Sequence, residues 1–526
     1  MSNEQPEDDV VVATVVTSEV SAGDAPRKAY RKYETYDLPV DPRQGDRATA
    51  LKLWSFKRPH MRAFHCSWFG FFLAFFQWFA IAPLLPEVRD TLDLTKQQIW
   101  NSNIASVAGT VAMRFINGPM CDKFGARLTM GAILCVSAIP TACIGFVQNS
   151  AGLIICRLFI GIAGSTFVMC QYWTSMMFAK NIVGTANAMA GGWGNLGGGV
   201  AQLIMGTCLY PLFKTGMSAE TAWRTVSIVP AVVAASVGLT IIQISEDSPK
   251  GNYDKLKREG VMKEVSASNS FRQGAVNINT WLLFIIYGSC FGVELTMNNA
   301  AASYFVDNYG QTIEGAAAIA SIFGFMNLFA RGVGGFLSDK LFIKFSMKGR
   351  IMVLFTCLAC EAALIIVFQS LNPDDGIGPA IAVLVFFSSF VQSAEGATYA
   401  IVPFVDPANT GSISGIVGAG GNIGAVCFGF VFREYSNDQN KAFLIMGIVV
   451  GAISLTCFLI NVPGYAGILF GTENEAVANA QLAQTGGLNV KIDKNLQFKV
   501  GDLEQDPAEL GPAIDGRVHT KMDLAG

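Results

Sequence analysis

The stretch Arg114-Phe-Ile-Asn-Gly118-Pro-Met-Cys-Asp122-Lys-Phe-Gly-Ala-Arg127 decides how this chain is read. It leaves a mostly apolar segment, Ile99 to Gly118, and its skeleton Arg-x3-Gly-x3-Asp returns 217 residues later as Arg331-x3-Gly335-x3-Asp339, at the end of Ile319 to Gly335. An arginine eight residues before the aspartate lies roughly 12 Å deeper along a helix, and the hydrocarbon core of a bilayer is about 30 Å thick. If Asp122 and Asp339 mark the membrane edge, Arg114 and Arg331 both approach the midplane. A charge at that depth faces a cavity or a partner and marks a functional site by default. Two cations at matching depth call for an anionic ligand.

Composition supports a membrane protein. Hydrophobic residues make up 51%, charged residues 15%, and mean hydropathy is +0.40, far from the roughly 25% charge of a soluble domain. Windows of about 19 residues give twelve helices, at 64–85, 98–119, 127–147, 151–174, 183–209 and 225–244, then 278–305, 313–337, 350–370, 378–404, 410–432 and 441–462. The expected fold is an all-α membrane protein of twelve transmembrane helices in two pseudo-symmetric six-helix halves. The halves occupy 63–244 and 278–463, joined by a polar linker at 245–277. Tails at 1–62 and 464–526 lack apolar runs able to form a core and are expected to be largely disordered.

Lys52, Lys57, Arg58 and Arg62 before the first helix fall on one side of the membrane, with Lys123, Arg127, Lys340, Lys344, Lys348, Arg350 and the linker lysines. Positive loops stay inside, which makes that side and both tails cytoplasmic. The acidic start MSNEQPEDD fits neither a cleavable signal nor a transit peptide. The twelve cysteines lie in or beside apolar segments and read as small core residues, and three histidines, none deep in a predicted helix, leave no metal site or histidine relay. Without a nucleotide-binding loop or a paired acid/base constellation, an enzyme is the least fitting class, and no cofactor, metal or nucleic acid is expected.

A second internal echo joins the first: Gly191-Gly-Trp-Gly194-Asn195-Leu-Gly197 is matched by Gly418-Ala-Gly-Gly421-Asn422-Ile-Gly424, 227 residues on. Small residues let helices approach closely, and Gly194 and Gly421 leave room beside an amide that needs partners if buried. Transporters built from repeats commonly hold substrate at the repeat interface near the midplane. Asp122, Arg127 and Asp339, at the helix ends, can pair with cations or cap neighbouring helices as a conformational latch.

The Gly118 to Arg127 loop resembles the signature of the major facilitator superfamily between its second and third helices. AGGWGNLGGG and GAGGNIGA are similar to the paired nitrate signatures of its nitrate/nitrite porter family. SWFGFFLAFFQWFAIAPLL, FVMCQYW, FGVELTMNNAAASYF and VQSAEGATYAIVPF resemble the eukaryotic high-affinity nitrate transporters, over roughly Arg62 to Pro463. The resemblance implies that Arg114 and Arg331 bind the substrate, nitrate or nitrite, and that transport is inward, electrogenic proton symport in the cell membrane. A vacuolar membrane, nitrate/nitrite exchange and a receptor role signalled through the tails are the alternatives. Besides the bilayer, an accessory membrane subunit is a candidate partner.

Nitrate is planar with three equivalent acceptor oxygens, and guanidinium offers a planar fork that matches two of them. Asn195 and Asn422 supply neutral donors or orient the clamp; Tyr287, Trp78 or Phe76 offers a ring face. Two cations binding one anion leave positive charge over. Buried carboxyls titrate high enough to exchange protons, so Glu294 and Glu395, then Glu361, are the candidate proton carriers, with Arg157 a further unusual intramembrane charge.

Overall fold

A computed structural model describes residues 35–260, 266–311, 313–435 and 438–474. Among these, ten helical segments are long and apolar enough to cross a membrane. One of them contains the 41-residue run Ala330–Ser370, which breaks at Ser346 (φ 54°, ψ −144°) and so supplies parts of two spans. A further helix, Lys96–Phe124, is 29 residues long but carries Asn101, Asn103, Arg114 and Asn117, which lower its hydropathy. Twelve spans result among the described residues, as expected.

Spans one to six are His60–Leu84, Lys96–Phe124, Ala126–Phe146, Ser150–Met177, Val183–Lys214 and Ala219–Ile244. Span seven is Ile278–Tyr309, span eight joins Ile313–Phe325 to the first part of Ala330–Ser370, and span nine is the rest of that run. Spans ten to twelve are Ile377–Val405, Thr410–Glu434 and Gln439–Leu459. Local chemistry sets several ends. Span two opens on a reciprocal capping box, Thr95 with Gln98, and stops at Gly125 (φ 86°). Span four opens on the Asn149 side chain, which accepts from the Gly152 N–H at 2.8 Å.

The halves meet along two matching seams, span two against span eleven and span five against span eight. The repeated Arg-x3-Gly-x3-Asp skeleton explains both. Its three residues lie four apart and so share one helix face. At the middle position, a Cβ on Gly118 would stand 2.6 Å from the Gly411 carbonyl oxygen, and one on Gly335 would run into the Gly184 carbonyl. Only glycine lets these backbones approach so closely. The aspartates then reach across the seams to helix starts, at the end of the bundle that carries the basic loops.

The tails differ from expectation. Residues 35–59 are not loose: Val40–Asp41 pairs with Arg47–Ala48, and Gln44, Asp46, Arg47 and Ala48 are buried at the basic end. The Ala179 N–H donates to the Ala48 carbonyl at 2.9 Å and the Lys180 N–H to Gln44 Oε1 at 2.9 Å. Residues 464–474 also fold back, with Tyr465 packed on Phe342 and Phe404. These contacts are made with segments distant in sequence, which local polarity cannot register. The linker contributes short helices Tyr253–Arg258 and Ala267–Val276. Residues 1–34 and 475–526 lie outside the described residues, as does His519.

Candidate functional site

Arg114 and Arg331 are buried at the interface of the halves, 0% and 2% exposed. Each reaches across it. Span four tightens into a 3-10 turn over Gly161–Ser165, which changes which carbonyls the helix itself uses. The Arg114 guanidinium donates to the Gly164 carbonyl at 3.0 and 3.3 Å, and to the Gly418 carbonyl of span eleven at 2.5 Å. Arg331 is held differently. It pairs with Glu294 of span seven at 3.2 Å and is in direct contact with Glu395 of span ten. Asn195 of span five turns its amide oxygen to this guanidinium and accepts at 2.6 and 3.3 Å. Asn327 donates to Glu294 at 2.8 Å.

Two rings join the arginines. The Arg114 guanidinium carbon lies 4.9 Å from the centroids of both Phe167 and Phe291; that of Arg331 lies 5.8 and 5.9 Å from the same centroids. The two cationic carbons are therefore within about 11 Å of each other, each within cation–π range of the same rings. Tyr287 stacks on Phe291 at 5.2 Å and on Phe167 at 5.7 Å, while its buried hydroxyl finds no partner among the described residues. A Cβ on Gly421 would meet Phe291 Cδ1 at 2.5 Å and Tyr287 Cδ1 at 2.9 Å; one on Gly194 would enter the Phe71 ring. Both glycines make room for aromatic rings at the site.

Among the described residues, only one of the two arginines is paired with acids. No acid occurs in the apolar turns beside Arg331, yet Glu294 and Glu395 reach it from other helices. Asn422 also departs from its repeat partner: its amide N–H donates to the Val107 carbonyl at 3.5 Å, and its oxygen is buried without a partner among the described residues, accepting nothing from Arg114. Arg157 stands apart from the cluster and bonds to Ser102 Oγ at 2.9 Å and to Asn103. Glu361 is buried in span nine, with both oxygens unpartnered among the described residues. Trp78 is used for packing, donating to Ser106 Oγ at 2.7 Å, and Phe76 stacks on Phe72 at 6.4 Å. The rings that do flank the guanidinium groups, Phe167 and Phe291, begin two of the distinctive aromatic stretches of the sequence, but nothing local sets them above the chain's other phenylalanines.

At the basic end, Asp122 accepts from the Gly411 N–H at 3.2 Å, the Ser412 N–H at 3.0 Å, Ser412 Oγ at 2.9 Å and Ser270 Oγ at 2.6 Å. Asp339 accepts from the Gly184 N–H at 3.2 Å and from the Thr185 N–H and Oγ1, both at 2.6 Å, and pairs with Arg350 at 2.8 Å. Each aspartate caps a helix of the opposite half, span eleven or span five, so the bundle is closed here by two equivalent clasps. Arg127 is not part of either clasp. It pairs with Asp247 of the linker at 3.5 Å and bonds to the Ile242 carbonyl, inside its own half.

The family model described as Major Facilitator Superfamily matches residues 67–429. High-affinity nitrate transporter 2.3 of Oryza sativa subsp. japonica is 38% identical over 470 residues, covering 89% of this chain and 88% of that protein. The chain belongs to the nitrate/nitrite porter family of the major facilitator superfamily. Among other porters, Nitrate transporter 2.1 of Chlamydomonas reinhardtii is 35% identical, covering 88% of this chain and 84% of its own. The nitrate/nitrite transporter NrtP of Nostoc punctiforme is 27% identical, covering 77% and 93%. A solved structure of the proton:xylose symporter XylE aligns with a TM-score of 0.59 at 12% identity, over 80% of this porter and 98% of that chain. That likeness concerns the fold. As a facilitator-superfamily porter, the chain is a multi-pass transporter and not an enzyme.

Proposed function

We propose that this porter carries nitrate, and nitrite as a close analogue, inward across the cell membrane by proton-coupled alternating access, with its basic end in the cytosol. The observation that carries the proposal is the pair of buried guanidinium groups, one from each half, flanking the stacked Phe167 and Phe291 rings. Nitrate suits that setting: its plane matches the guanidinium fork, its charge is single, and its weak hydration lets it enter a ring-lined space. The names of the relatives favour the same ion. The hydroxyl of Tyr287 and the amide of Asn422 have hydrogen-bonding capacity to spare for it.

Proton coupling follows from charge. Arg114, Arg331, Glu294 and Glu395 sum to zero when all are ionised. An added anion makes the buried set negative, which the low dielectric opposes. A proton on Glu294 or Glu395 restores neutrality and loosens a carboxylate from Arg331, freeing its fork for the anion. A second proton makes the loaded centre positive.

Reconstitution into proteoliposomes with an imposed pH gradient tests the proposal. The unsubstituted chain should accumulate nitrate when the outside is acidic. Arg114→Lys and Arg331→Lys keep the charge but lose the fork, and each should weaken nitrate affinity by roughly tenfold or more. Parent affinity in both variants would remove the planar clamp. Accumulation driven by internal nitrite, and indifferent to pH, would replace symport with exchange.

A further inference from the structure

Away from the central site, three cations are buried at the basic end with little acid to match them. Arg350, 0% exposed, is paired with Asp339 at 2.8 Å and donates to the Lys180 carbonyl at 3.2 Å. Lys180, 2% exposed in the turn between spans four and five, donates from Nζ to the Pro403 carbonyl of span ten. Its ammonium lies 4.5 Å from the Phe404 ring centroid, a ring that the Arg350 guanidinium also covers at 4.9 Å. Arg47, 3% exposed, comes from the N-terminal hairpin, and its guanidinium donates to the Met176 sulfur at 3.4 Å. A thioether is a weak acceptor. Among the described residues, no carboxylate pairs with Arg47 or Lys180.

Such an arrangement is costly. A buried charge is normally paired or shifts its titration. Burial, with Arg47 and Arg350 nearby, pulls the Lys180 ammonium well below its usual value, and burial draws Arg47 down to about 10. Helix packing alone would be served better by apolar side chains. The position suggests why cations are kept. Lys180 spans the seam between the halves, bonded on one side to Gln44 through its backbone and on the other to span ten. When the seam parts, the Pro403 carbonyl must leave the Lys180 ammonium, and the neighbouring Arg47 fork has no strong acceptor to hold it back.

We propose that Arg47 and Lys180, with Arg350 behind them, form a second anion site at the cytoplasmic mouth, where the transported oxyanion is received after it leaves Arg114 and Arg331. This rests on the nitrate-transport function proposed above. It makes the N-terminal hairpin part of the transport path, since that hairpin delivers one of the two cations that no carboxylate pairs among the described residues. A charge-assisted hydrogen bond to the anion from each residue lowers the concentration needed to load the carrier from inside, while the outer route never meets them.

The test uses the full chain in oriented proteoliposomes, with half-saturating nitrate measured separately from each face. Arg47→Gln and Lys180→Met should each raise the ratio of cytoplasmic-face to external-face values by about tenfold. Arg47→Lys, which keeps the charge, should recover most of the loss. An unchanged ratio overturns the proposal, as does a parallel rise at both faces, which marks a general effect on gating or folding. Should a neutral variant fail to insert, equilibrium binding of nitrate to the unsubstituted protein decides the matter: two classes of site are expected and a single class is fatal. An unsubstituted chain that carries no nitrate from either face removes the central-site function instead, an outcome separable from the others.

Discussion

Replacing Glu395 by glutamine should take the pH dependence out of nitrate affinity. The four charged side chains at the centre are at most 2% exposed, so a surplus charge there is poorly screened. On the proposed scheme, nitrate arrives at a neutral set in the unsubstituted centre and needs one proton to keep it neutral. Linkage fixes the size of the effect: above the carboxyl's titration, affinity falls tenfold per pH unit, about 1.4 kcal/mol for each. Glutamine has nearly the same shape and can still accept from Arg331, but it leaves the centre at one positive charge before nitrate and at zero after. No proton is then required. Half-saturating nitrate in proteoliposomes should climb by up to about tenfold per unit of external alkalinisation for the parent, and stay level for Glu395→Gln. A parent slope retained by the variant refutes the reasoning for Glu395. If Glu294→Gln alone levels the slope, the proton belongs to Glu294.

Three other outcomes are expected. Gly421→Ala places a methyl 2.5 Å from Phe291 and 2.9 Å from Tyr287; overpacking of about 1–3 kcal/mol should cut nitrate uptake per molecule while leaving membrane insertion intact, and normal uptake would show that the ring stack need not be fixed. Asp122→Asn removes a charged cap worth about 1 kcal/mol, so a cysteine placed at Ser414 on the same seam should react about fivefold faster with a reagent from the basic side; an unaltered rate would deny the clasp any part in closure. Burial pushes the Asp247 carboxyl up to about 6, against the opposing pull of Arg127. Because that folded value lies above the unfolded one, its contribution to stability is full at low pH and lost as pH rises through about 6, a decline of roughly 3 kcal/mol. Asp247→Asn should flatten thermal stability between roughly pH 4 and pH 7, and an unchanged profile would assign the decline to other groups.

The twelve-span, two-half fold is legible in the sequence because hydropathy and an internal repeat are both local or periodic signals. The repeat even foretells the seams: Arg, Gly and Asp at fourfold spacing turn out to be buried interfacial cation, close approach and helix cap on one face. Arg114, Arg331 and Asn195 stand out for a related reason, being polar residues fixed in apolar surroundings. What escapes is pairing across helices. Glu294 and Glu395 draw notice as isolated acids, but nothing in sequence places both on Arg331 and neither on Arg114. The repeat does not carry the Asn195–Arg331 contact over to Asn422, since Arg114 bonds to the Gly418 carbonyl instead. Phe167 and Phe291 are hidden by the abundance of phenylalanine, and the N-terminal hairpin by its polarity, since its partners are loops more than a hundred residues away.

The neutrality of the central charges also decides which half of the transport cycle responds to the membrane potential. With Glu294 and Glu395 ionised, the unloaded centre carries no net charge, so its return from inside to outside moves none through the field. On the proposed cycle, a loaded centre that takes a second proton carries one positive charge, and the potential acts on it with about 2.3 kcal/mol per 100 mV. If the proposed cycle holds, an inside-negative potential is expected to pull the doubly protonated, loaded carrier inward without holding back the empty one. Voltage should raise the rate at saturating nitrate and leave the return step untouched.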